Sequence, residues 1–523
     1  MMLRKSHRIV LALCSALWVG LSLLPLENRL IASLAWVGFV PLLFAIEGQR
    51  WKNVYLTTLL FAFVSQVIGS YWAIDMFVHM KELSRFQAAC YAAIVWAYMA
   101  HVFAAIFLVQ EWMATRLALS RVVLLPVIAT SMLWLWPLVF PISFAETQFD
   151  FTVLVLPVSI TGAWGLDALI FTINAFIYEW IKGRLSREQL VLVICLFVLW
   201  IGTGLILQAQ WRNAIPQTQT LSVGLIQPNT PPDASGNKIE SGYVRSHRLD
   251  MELSEKLIAQ SAQQLSLLVW PEGRPKHFRH DEVANQAIRD FIDEHNVWLI
   301  FQDSSRSGAG VYNQSILLDS DGQERYSHNK VKPMPFGEYM PLAEYLPDQG
   351  KHIRRFFTRL DSNFDAGEAY STWAVDGLMS ELTIVPMICY ENVFAMEIAD
   401  AIPNKPGRYL MISQTNDVWF GETIQPFMHD RKAGMRAVEN GVVMINSVQN
   451  GPSTVHFPDA SAHFQSRAFE PGAYHVEVPI ANARPSFFSR YPFWFIYLMV
   501  TGFLGLILAA LVSKRGLRSG EAL

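Results

Sequence analysis

The feature that most constrains this chain is a series of apolar runs, each long enough to cross a lipid bilayer. A spanning helix needs about 20 predominantly apolar residues. The runs lie at about 8–25, 30–46, 53–74, 87–112, 122–141, 153–179, 190–208 and 491–513. The second run is short and the sixth is interrupted by Pro157 and Gly162, so either could be a partly re-entrant segment. We therefore predict an α-helical transmembrane bundle of about eight spans.

The composition indicates that this bundle is joined to a water-exposed domain. The chain has 523 residues, of which 52% are hydrophobic and only 16% charged, whereas soluble proteins carry about 25% charged residues. We predict three parts: a transmembrane bundle over 1–212, an α/β domain over 218–485, and a last transmembrane helix with its tail over 488–523. A net charge of −3 without a basic stripe makes a nucleic-acid partner unexpected.

Lysine and arginine residues in the short loops predict the orientation in the membrane, because cytoplasmic loops carry an excess of them. The rich set of flanks holds Arg4, Lys5, Arg8, Arg50, Lys52, Arg116, Arg121, Lys182, Arg184, Arg187, Lys514, Arg515 and Arg518. The alternate loops hold only Arg29, Lys81 and Arg85. Both termini are therefore expected in the cytoplasm and the 218–485 domain on the outer side. The first run is interpreted as an uncleaved helix, since further spans follow it.

Short apolar runs alternate with helical patterns in the 218–485 domain, which favours a layered sheet with helices on its faces. The predicted strands are Leu221–Ile226, Leu265–Trp270, Val297–Gln302, Leu382–Cys389, Tyr409–Ser413 and Val442–Val448. The predicted helices are Val244–Gln264, Asp281–His295 and Pro426–Asn440. Val311–Tyr326 has the pattern of a hairpin with Asp321-Gly322 as its turn.

Three residues that could carry chemistry stand at predicted strand ends, where an open α/β sheet usually presents its site. They are Glu272, Lys330 and Cys389, the last being the one cysteine outside the apolar runs. A thiol nucleophile needs a base, positive charge that favours the thiolate, and donors for an oxyanion. Glu272 can be the base, Lys330 can supply the charge and a donor, and the backbone N–H of Tyr390 a second donor. Glu338 could orient Lys330 or act on the incoming nucleophile.

Each of these residues also has an ordinary interpretation. A cysteine at a strand end is usually a small buried hydrophobe, a glutamate after Trp-Pro is often a turn residue, and Lys330 stands near Lys332 as surface lysines often do. No spacing rule links the three. The sequence has neither a Cys/His cluster with zinc spacing nor a phosphate-binding glycine loop, so neither a metal nor a cofactor is expected.

The order Glu, Lys, Cys with these surroundings resembles the nitrilase, or carbon-nitrogen hydrolase, superfamily. The resemblance is closest to its membrane branch, the bacterial apolipoprotein N-acyltransferases, and the span layout also matches. The segments that carry it are Val269-Trp270-Pro271-Glu272, Asn329-Lys330, Pro335-Phe336-Gly337-Glu338-Tyr339-Met340-Pro341, Cys389-Tyr390-Glu391, Thr415-Asn416-Asp417-Val418-Trp419-Phe420-Gly421, His429, and Arg436-Ala437-Val438-Glu439-Asn440-Gly441.

The resemblance implies an αββα sandwich set on a membrane bundle. It assigns Glu272 as the base, Lys330 as the oxyanion-stabilising lysine and Cys389 as the nucleophile. The positions that the family uses in or beside the site are matched by Glu338, Tyr390 and Glu391.

The implied reaction is the last step of bacterial lipoprotein maturation. A phospholipid acyl donor leaves its acyl group on Cys389 as a thioester, and the α-amine of a diacylglyceryl-cysteine apolipoprotein accepts it. The implied location is the bacterial inner membrane, with the catalytic domain on the periplasmic side. The apolar stretch Met334–Tyr345 could line an opening for lipid or could be ordinary core.

Two departures leave alternatives open. Gly273-Arg274 stands where the family often has Thr-Ala, and Asn446 and Gln449-Asn450-Gly451 replace an arginine and an Asn-Thr-Gly turn. The alternatives are a membrane-tethered nitrilase-type amidase, an N-acyltransferase for another amine or amide, and a non-enzymatic membrane scaffold or transporter.

Overall fold

The structure is a computed structural model that describes residues 4–26, 29–214, 218–230, 249–273, 278–307, 310–339 and 364–513. The chain divides into two compact units. The first consists of Met1–Ile74, Phe86–Gln208 and Tyr491–Leu523, and the second of Asp75–Arg85 and Ala209–Arg490.

The described secondary-structure elements of the first unit are all helices. Its α-helices are Lys5–Ser22, Arg29–Ala32, Val40–Ile46, Trp51–Gly69, Arg85–Leu117, Arg121–Leu135, Thr152–Val155, Val158–Thr161, Ala163–Ile181, Arg187–Ala214 and Trp494–Val512, some of which run a few residues into the second unit. Short 3-10 helices lie at Ser33–Trp36 and Glu146–Gln148. The helix Ala73–Lys81 lies mostly in the second unit.

Within the described residues, four stretches are long and apolar enough to cross a membrane, or up to six if each of two bent helix pairs is one span. One bent pair is Thr152–Thr161 with Ala163–Ile181, which meet at 119° and correspond to the predicted interrupted run. The predicted first and fifth runs form the helices Lys5–Ser22 and Arg121–Leu135, which are not among these stretches. The prediction of an apolar helical part is confirmed, with the number of spans approximate.

A buried asparagine supports the broken second run. The chain is irregular between Trp36 and Val40, and an unpaired backbone group in an apolar interior costs several kcal/mol. Asn174 meets this need: its Oδ1 accepts from the N–H of Phe39 at 2.9 Å, and its Nδ2 donates to the carbonyl of Ala35 at 2.9 Å. The run is therefore an interrupted helix whose break is stabilised by two hydrogen bonds from the side chain of Asn174.

Among the described residues, the strands of the second unit form two six-stranded layers that a short pairing joins into one sheet. The first has the strand order β12-β1-β2-β3-β4-β5 and the second β11-β10-β9-β8-β7-β6, and β12 also pairs with the start of β8. The strands are β1 Thr218–Gln227, β2 Leu267–Val269, β3 Trp298–Ser307, β4 Gly310–Leu318, β5 Glu324–Asn329, β6 Trp373–Val375, β7 Leu382–Ile388, β8 Gly407–Thr415, β9 Val443–Val448, β10 Thr454–His456, β11 Ala462–Gln465 and β12 Gly472–Ala483. In each sheet the middle strands are parallel and the outer ones antiparallel.

Three buried clusters show how the layers stack. The central cluster joins inward residues of both sheets, such as Val223 and Val269 of the first with Ile384 and Ile412 of the second. The helices Leu249–Gln260 and Glu282–His295 cover the outer face of the first sheet. The helices Ala395–Ala401 and Gln425–Asn440 cover that of the second. The predicted αββα sandwich is confirmed.

The predicted elements of this unit are confirmed within a few residues at each end, as is the hairpin turn at Gly322, which has a φ of +69°. The first predicted helix is described from Leu249, and its earlier part lies outside the described residues. The strands not foreseen were β6, β10, β11 and β12. Strand β12 was missed although it pairs with the whole length of β1, because its burial alternates and no continuous apolar run marks it.

Candidate active site

Cys389 stands directly after β7, at a sharp change of backbone direction. Its φ is +50°, a left-handed conformation that is unfavourable for a residue with a side chain. A 3-10 helix, Cys389–Val393, begins at this residue. The side chain is buried, and its Sγ lies 4.0 Å from the carbonyl oxygen of Asn416. A strained turn between a strand and a helix is where proteins often present a nucleophile.

Lys330 follows β5 and is almost fully buried at 2% exposure. Its Nζ lies 2.9 Å from Oε2 of Glu338 and 3.6 Å from Oε1 of Glu272. Its sequence neighbour Lys332 behaves as the ordinary interpretation expected, with a side chain that is 37% exposed. A buried ammonium between two carboxylates is a built ionic site rather than a surface lysine.

Asn313, a residue that the sequence analysis missed, links the two carboxylates from β4. Its Nδ2 donates to Oε1 of Glu272 and to Oε1 of Glu338, at 2.7 Å each. Gln302 on β3 in turn donates to Oδ1 of Asn313 at 2.9 Å. One amide group therefore fixes the spacing of both acids. Its position inside an apolar strand pattern was the available signal, because a buried amide needs partners.

The charges of the site shift the pKa values of its groups in definite directions. Burial raises the pKa of the Glu272 carboxyl, the Lys330 ammonium opposes this, and the charge of Glu338 adds to it, so that it ends above its usual range. Burial alone lowers the pKa of Lys330, but the carboxylates of Glu272 and Glu338 outweigh it and leave it raised. Lys330 therefore stays cationic.

The thiol of Cys389 is neutral at rest for the same reasons. Burial raises the pKa of Cys389 well above its usual range, the charge of Glu272 adds to this, and Lys330 opposes it without prevailing. The lysine thus favours the thiolate as expected, yet does not create it in the resting site. Glu272 lies near enough to act on the Cys389 thiol through its charge, which suits removal of the proton as the sulfur attacks.

Glu391 braces the two chain segments that carry the lysine and the cysteine. It is fully buried, and its carboxylate accepts from the N–H of Val331 and from the N–H of Ile388, at 2.7 Å each. His328 lies 3.1 Å away through its Nε2. Glu391 therefore has a structural role, which is to hold these two segments together. The backbone N–H of Tyr390 belongs to the first turn after Cys389, where N–H groups of a helix lack intrahelical partners, and its oxyanion role stays a prediction.

A second buried pair lies beside the nucleophile. Nδ1 of His429 lies 2.9 Å from Oδ1 of Asp417. One nitrogen of this ring, a carboxylate oxygen of Asp417 and the Sγ of Cys389 lie within 4.8 Å of one another. Among the described residues this is the one cluster whose atoms could hold a metal ion, although the Lys330 cation beside Cys389 opposes a second positive charge.

The residues that depart from the family pattern are mostly buried. Asn446 accepts from Thr415 Oγ1 at 3.0 Å and donates to Asp430 Oδ1 at 3.2 Å. Gln449 and Asn450 are 6% and 4% exposed. These departures therefore alter internal hydrogen bonding around β8 and β9 rather than an open surface.

The loop that carries Glu338 is partly described. Phe336 has a φ of +62°, and its carbonyl accepts from Nζ of Lys81 at 3.4 Å. Lys81 was counted in the sequence only as a loop charge. The predicted apolar opening Met334–Tyr345 lies outside the described residues beyond Tyr339. Gly273 donates its N–H to Oε1 of Gln302 at 3.2 Å, and Arg274 is also outside the described residues.

Two parts of the chain match known families. Residues 8–176 match the family described as apolipoprotein N-acyltransferase N-terminal domain. Residues 235–485 match the carbon-nitrogen hydrolase family. The two matches fall on the helical unit and on the sandwich.

Proteins with an assigned name are similar to this chain over more than half of its length. A protein named apolipoprotein N-acyltransferase from Rickettsia typhi is 27% identical over 62% of this chain and 61% of its own length. One of that name from Rhizobium etli is 27% identical over 68% of this chain and 66% of its own. The chain thus spans somewhat less than two thirds of the length of these relatives. A solved amidase from Nesterenkonia sp. is 20% identical over 50% of this chain and 90% of the amidase, with a TM-score of 0.34.

Proposed function

We propose that this chain is an apolipoprotein N-acyltransferase of the membrane branch of the carbon-nitrogen hydrolases, because its two parts match the models of these two families. It transfers an acyl chain from a membrane phospholipid to the N-terminal α-amine of a diacylglyceryl-cysteine apolipoprotein. Cys389 carries the acyl group between the two as a thioester, Glu272 is the base and Lys330 stabilises the oxyanion.

The observation that carries this proposal is the buried cluster around Lys330. Its ammonium lies within 3.6 Å of two carboxylates, and the charges of Lys330 and of one of these carboxylates, Glu272, both act on the buried Cys389 thiol. A nucleophile, a base and a cation beside the same buried space are what acyl transfer through a thioester requires. Burying three ionisable groups together is unfavourable for stability alone, which favours a functional role.

In the first half-reaction Glu272 takes the thiol proton as Cys389 Sγ attacks the ester carbonyl of a phospholipid. The Lys330 ammonium, with the N–H of Tyr390, stabilises the oxyanion. The ester C–O bond then breaks, Glu272 returns the proton to the departing alcohol, and a lysophospholipid leaves. Glu338 keeps Lys330 in place, because its Oε2 is the nearer partner of Nζ at 2.9 Å.

The membrane helices support a lipid donor. Only 11% of the apolar stretch in the helix Arg187–Arg212 is buried, and only 17% of that in Trp494–Val512. Leu199 and Leu508 are 67% and 64% exposed, so these faces need an apolar medium. We infer a bacterial inner membrane location, a periplasmic catalytic domain and cytoplasmic termini, on the charge bias of the loops. Withdrawing lipid tails from the bilayer is unfavourable by about 0.8 kcal/mol per CH₂, so a membrane enzyme suits such substrates.

The test is the intact mass of the full-length protein after incubation with phosphatidylethanolamine vesicles and no acceptor. The expected result is one added acyl group that maps to Cys389 and is removed by alkaline hydroxylamine, as a thioester is. Cys389→Ala should show no adduct, while Cys195→Ala, which removes a cysteine of the helical unit, should show it in full.

A second measurement distinguishes the alternatives. Addition of a synthetic diacylglyceryl-cysteine peptide should discharge the adduct and yield an N-acylated peptide. Discharge by water alone, together with turnover of soluble amides in the absence of lipid, would instead identify a membrane-tethered amidase. Absence of any adduct on the wild-type protein would contradict the acyl-enzyme itself, as the scaffold alternative requires.

A further inference from the structure

We infer that His429, held by Asp417, is a second base of this site and takes the first proton from the acceptor amine. The inference rests on the proposed function, and it concerns only the second half-reaction. It assigns a catalytic role to His429 and a positioning role to Asp417.

The geometry of the pair defines which nitrogen is available. His429 and Asp417 are 5% and 1% exposed. The carboxylate of Asp417 lies 2.9 Å and 3.1 Å from Nδ1 of His429 through its two oxygens. A carboxylate can only accept, so Nδ1 carries the hydrogen and donates it. Nε2 is therefore the basic nitrogen of the neutral ring.

The Nε2 atom of His429 is not used in the hydrogen bonding of the described residues. Among the described residues, Nε2 of His429 is buried without a hydrogen-bond partner. Buried polar atoms are nearly always paired, and an exception points to a bound molecule or a catalytic role. The ring also belongs to the group that lies within 4.8 Å of Cys389 Sγ. A molecule that attacks a thioester on this sulfur would pass beside the pair.

The chemistry of the acceptor requires a second base. An α-amine has a pKa near 8 in water, so much of the acceptor arrives as an ammonium ion that cannot attack. Two protons must leave its nitrogen before an amide is formed, and Glu272 is needed for one of them. The Lys330 cation, whose pKa is raised, cannot accept the other. The neutral imidazole of His429 has a lone pair on Nε2 that can accept it.

The proposed step is balanced as follows. His429 Nε2 takes one proton from the ammonium, and the neutral amine forms the C–N bond at the thioester carbonyl. The C–S bond breaks and its electron pair leaves on Cys389 Sγ. The second proton of the nitrogen passes through Glu272 to the sulfur, which restores the thiol. The imidazolium then releases its proton to water.

The experiment separates the two half-reactions in the full-length protein. Acyl-enzyme is first formed on phosphatidylethanolamine vesicles, and its discharge is then timed after addition of the diacylglyceryl-cysteine peptide. In His429→Gln we expect acylation within about 3-fold of the wild type and discharge slowed by at least about 100-fold, the usual contribution of a general base. The matched control is His456→Gln, which removes a buried histidine that lies 3.0 Å from Asp430 and should slow neither step selectively.

Hydroxylamine supplies a readout that a merely structural role would not move. It is a neutral nucleophile at neutral pH and needs no first deprotonation, so it should discharge the acyl-enzyme of His429→Gln at close to the wild-type rate. Asp417→Asn should show the same selective defect, because an amide permits the wrong tautomer, and it carries the test if His429→Gln does not fold.

Two results would overturn the inference while leaving the proposed function intact. One is peptide discharge at the wild-type rate in both variants. The other is equal slowing of acylation, peptide discharge and hydroxylamine discharge, which identifies a packing role. A wild-type protein that forms no acyl-enzyme would instead reject the proposed function on which the inference rests.

Discussion

Lys330 and Glu338 form the tightest ion pair of the site, with Nζ and Oε2 2.9 Å apart and both residues at most 5% exposed. The distance from the same Nζ to Glu272 is longer, at 3.6 Å. This asymmetry gives the two acids different tasks. In the proposed mechanism Glu338 therefore neutralises and orients the lysine, and Glu272 exchanges a proton with Cys389.

Lys330→Met tests how much of the site depends on this cation. Removing one partner of a buried ionic cluster typically destabilises a protein by about 3–5 kcal/mol, because Glu272 and Glu338 would share a buried space without a counter-charge. We expect lower thermal stability in detergent and no acyl-enzyme. The stability loss should shrink as the pH falls, since protonation relieves the repulsion.

The control for this variant is Lys332→Met, two residues along the chain. Its ammonium is partly exposed and lies 3.6 Å from Glu397, and such surface pairs contribute about 0–1 kcal/mol. A similar stability loss in both variants would contradict the assignment of Lys330 as the centre of the cluster.

Glu338→Gln tests the electrostatic coupling between the two acids. Burial is the largest cause of the raised pKa of Glu272, and the charge of Glu338 raises it further. The base must be ionised to take the thiol proton, so acylation falls as the pH falls through that pKa. Removing the Glu338 charge lowers the pKa of Glu272, and the acid limb of the acylation rate should move to lower pH.

The measurement is the single-turnover rate of acyl-enzyme formation over a range of pH. The maximal rate should also decrease, because the amide no longer holds Lys330 as an ion pair. Glu397→Gln, which removes the surface partner of Lys332, should leave the limb in place. A limb that moves to higher pH in Glu338→Gln would show that the Glu338 charge does not act on the base.

The sequence was sufficient to predict the layered fold and to select three residues that the fold brings together, but for different reasons. Strands such as β7 and β9 are buried on both faces and are predominantly apolar, so that they stand out in the sequence. Strand β12 has an alternating burial pattern, and its place beside β1 depends on contacts far apart in sequence. Glu272, Lys330 and Cys389 were recognised through their surrounding motifs, since no local spacing rule connects them.

The supporting residues show where such reasoning ends. Asn313 is separated by 41 residues from Glu272 and by 25 from Glu338, so only the fold brings its amide to both carboxylates. His429 was noted as part of a motif, but its pairing with Asp417 across 12 residues and its nearness to Cys389 needed coordinates. Side-chain networks between elements are set by tertiary packing, which a single sequence does not reveal.

Glu391→Gln tests the brace between the lysine segment and the cysteine turn. The carboxylate accepts from two backbone N–H groups, of Val331 and Ile388, at 2.7 Å each. An amide has one acceptor oxygen and would present hydrogens to one of these donors. We expect a loss of about 1–3 kcal/mol in stability, the usual effect of an unsatisfied buried group, together with slower acylation.

Thermal unfolding and single-turnover acylation measure the two effects. Glu477→Gln is the control, because its carboxylate is 42% exposed and lies at the domain surface beside His475. Unchanged stability in Glu391→Gln would mean that the turn at Cys389 holds its geometry without this brace.

The strained backbone of Cys389 predicts a difference in stability between two variants that both lack activity. Its φ of +50° is readily adopted by glycine and resisted by residues with a Cβ. Cys389→Gly and Cys389→Ala both remove the thiol that we propose as the nucleophile, so both should be inactive. Since they differ by one methyl group, the glycine variant should be the more stable by about 1 kcal/mol. Thermal unfolding of the two variants side by side decides the matter, and an alanine variant at least as stable as the glycine variant would show that the turn is held without strain.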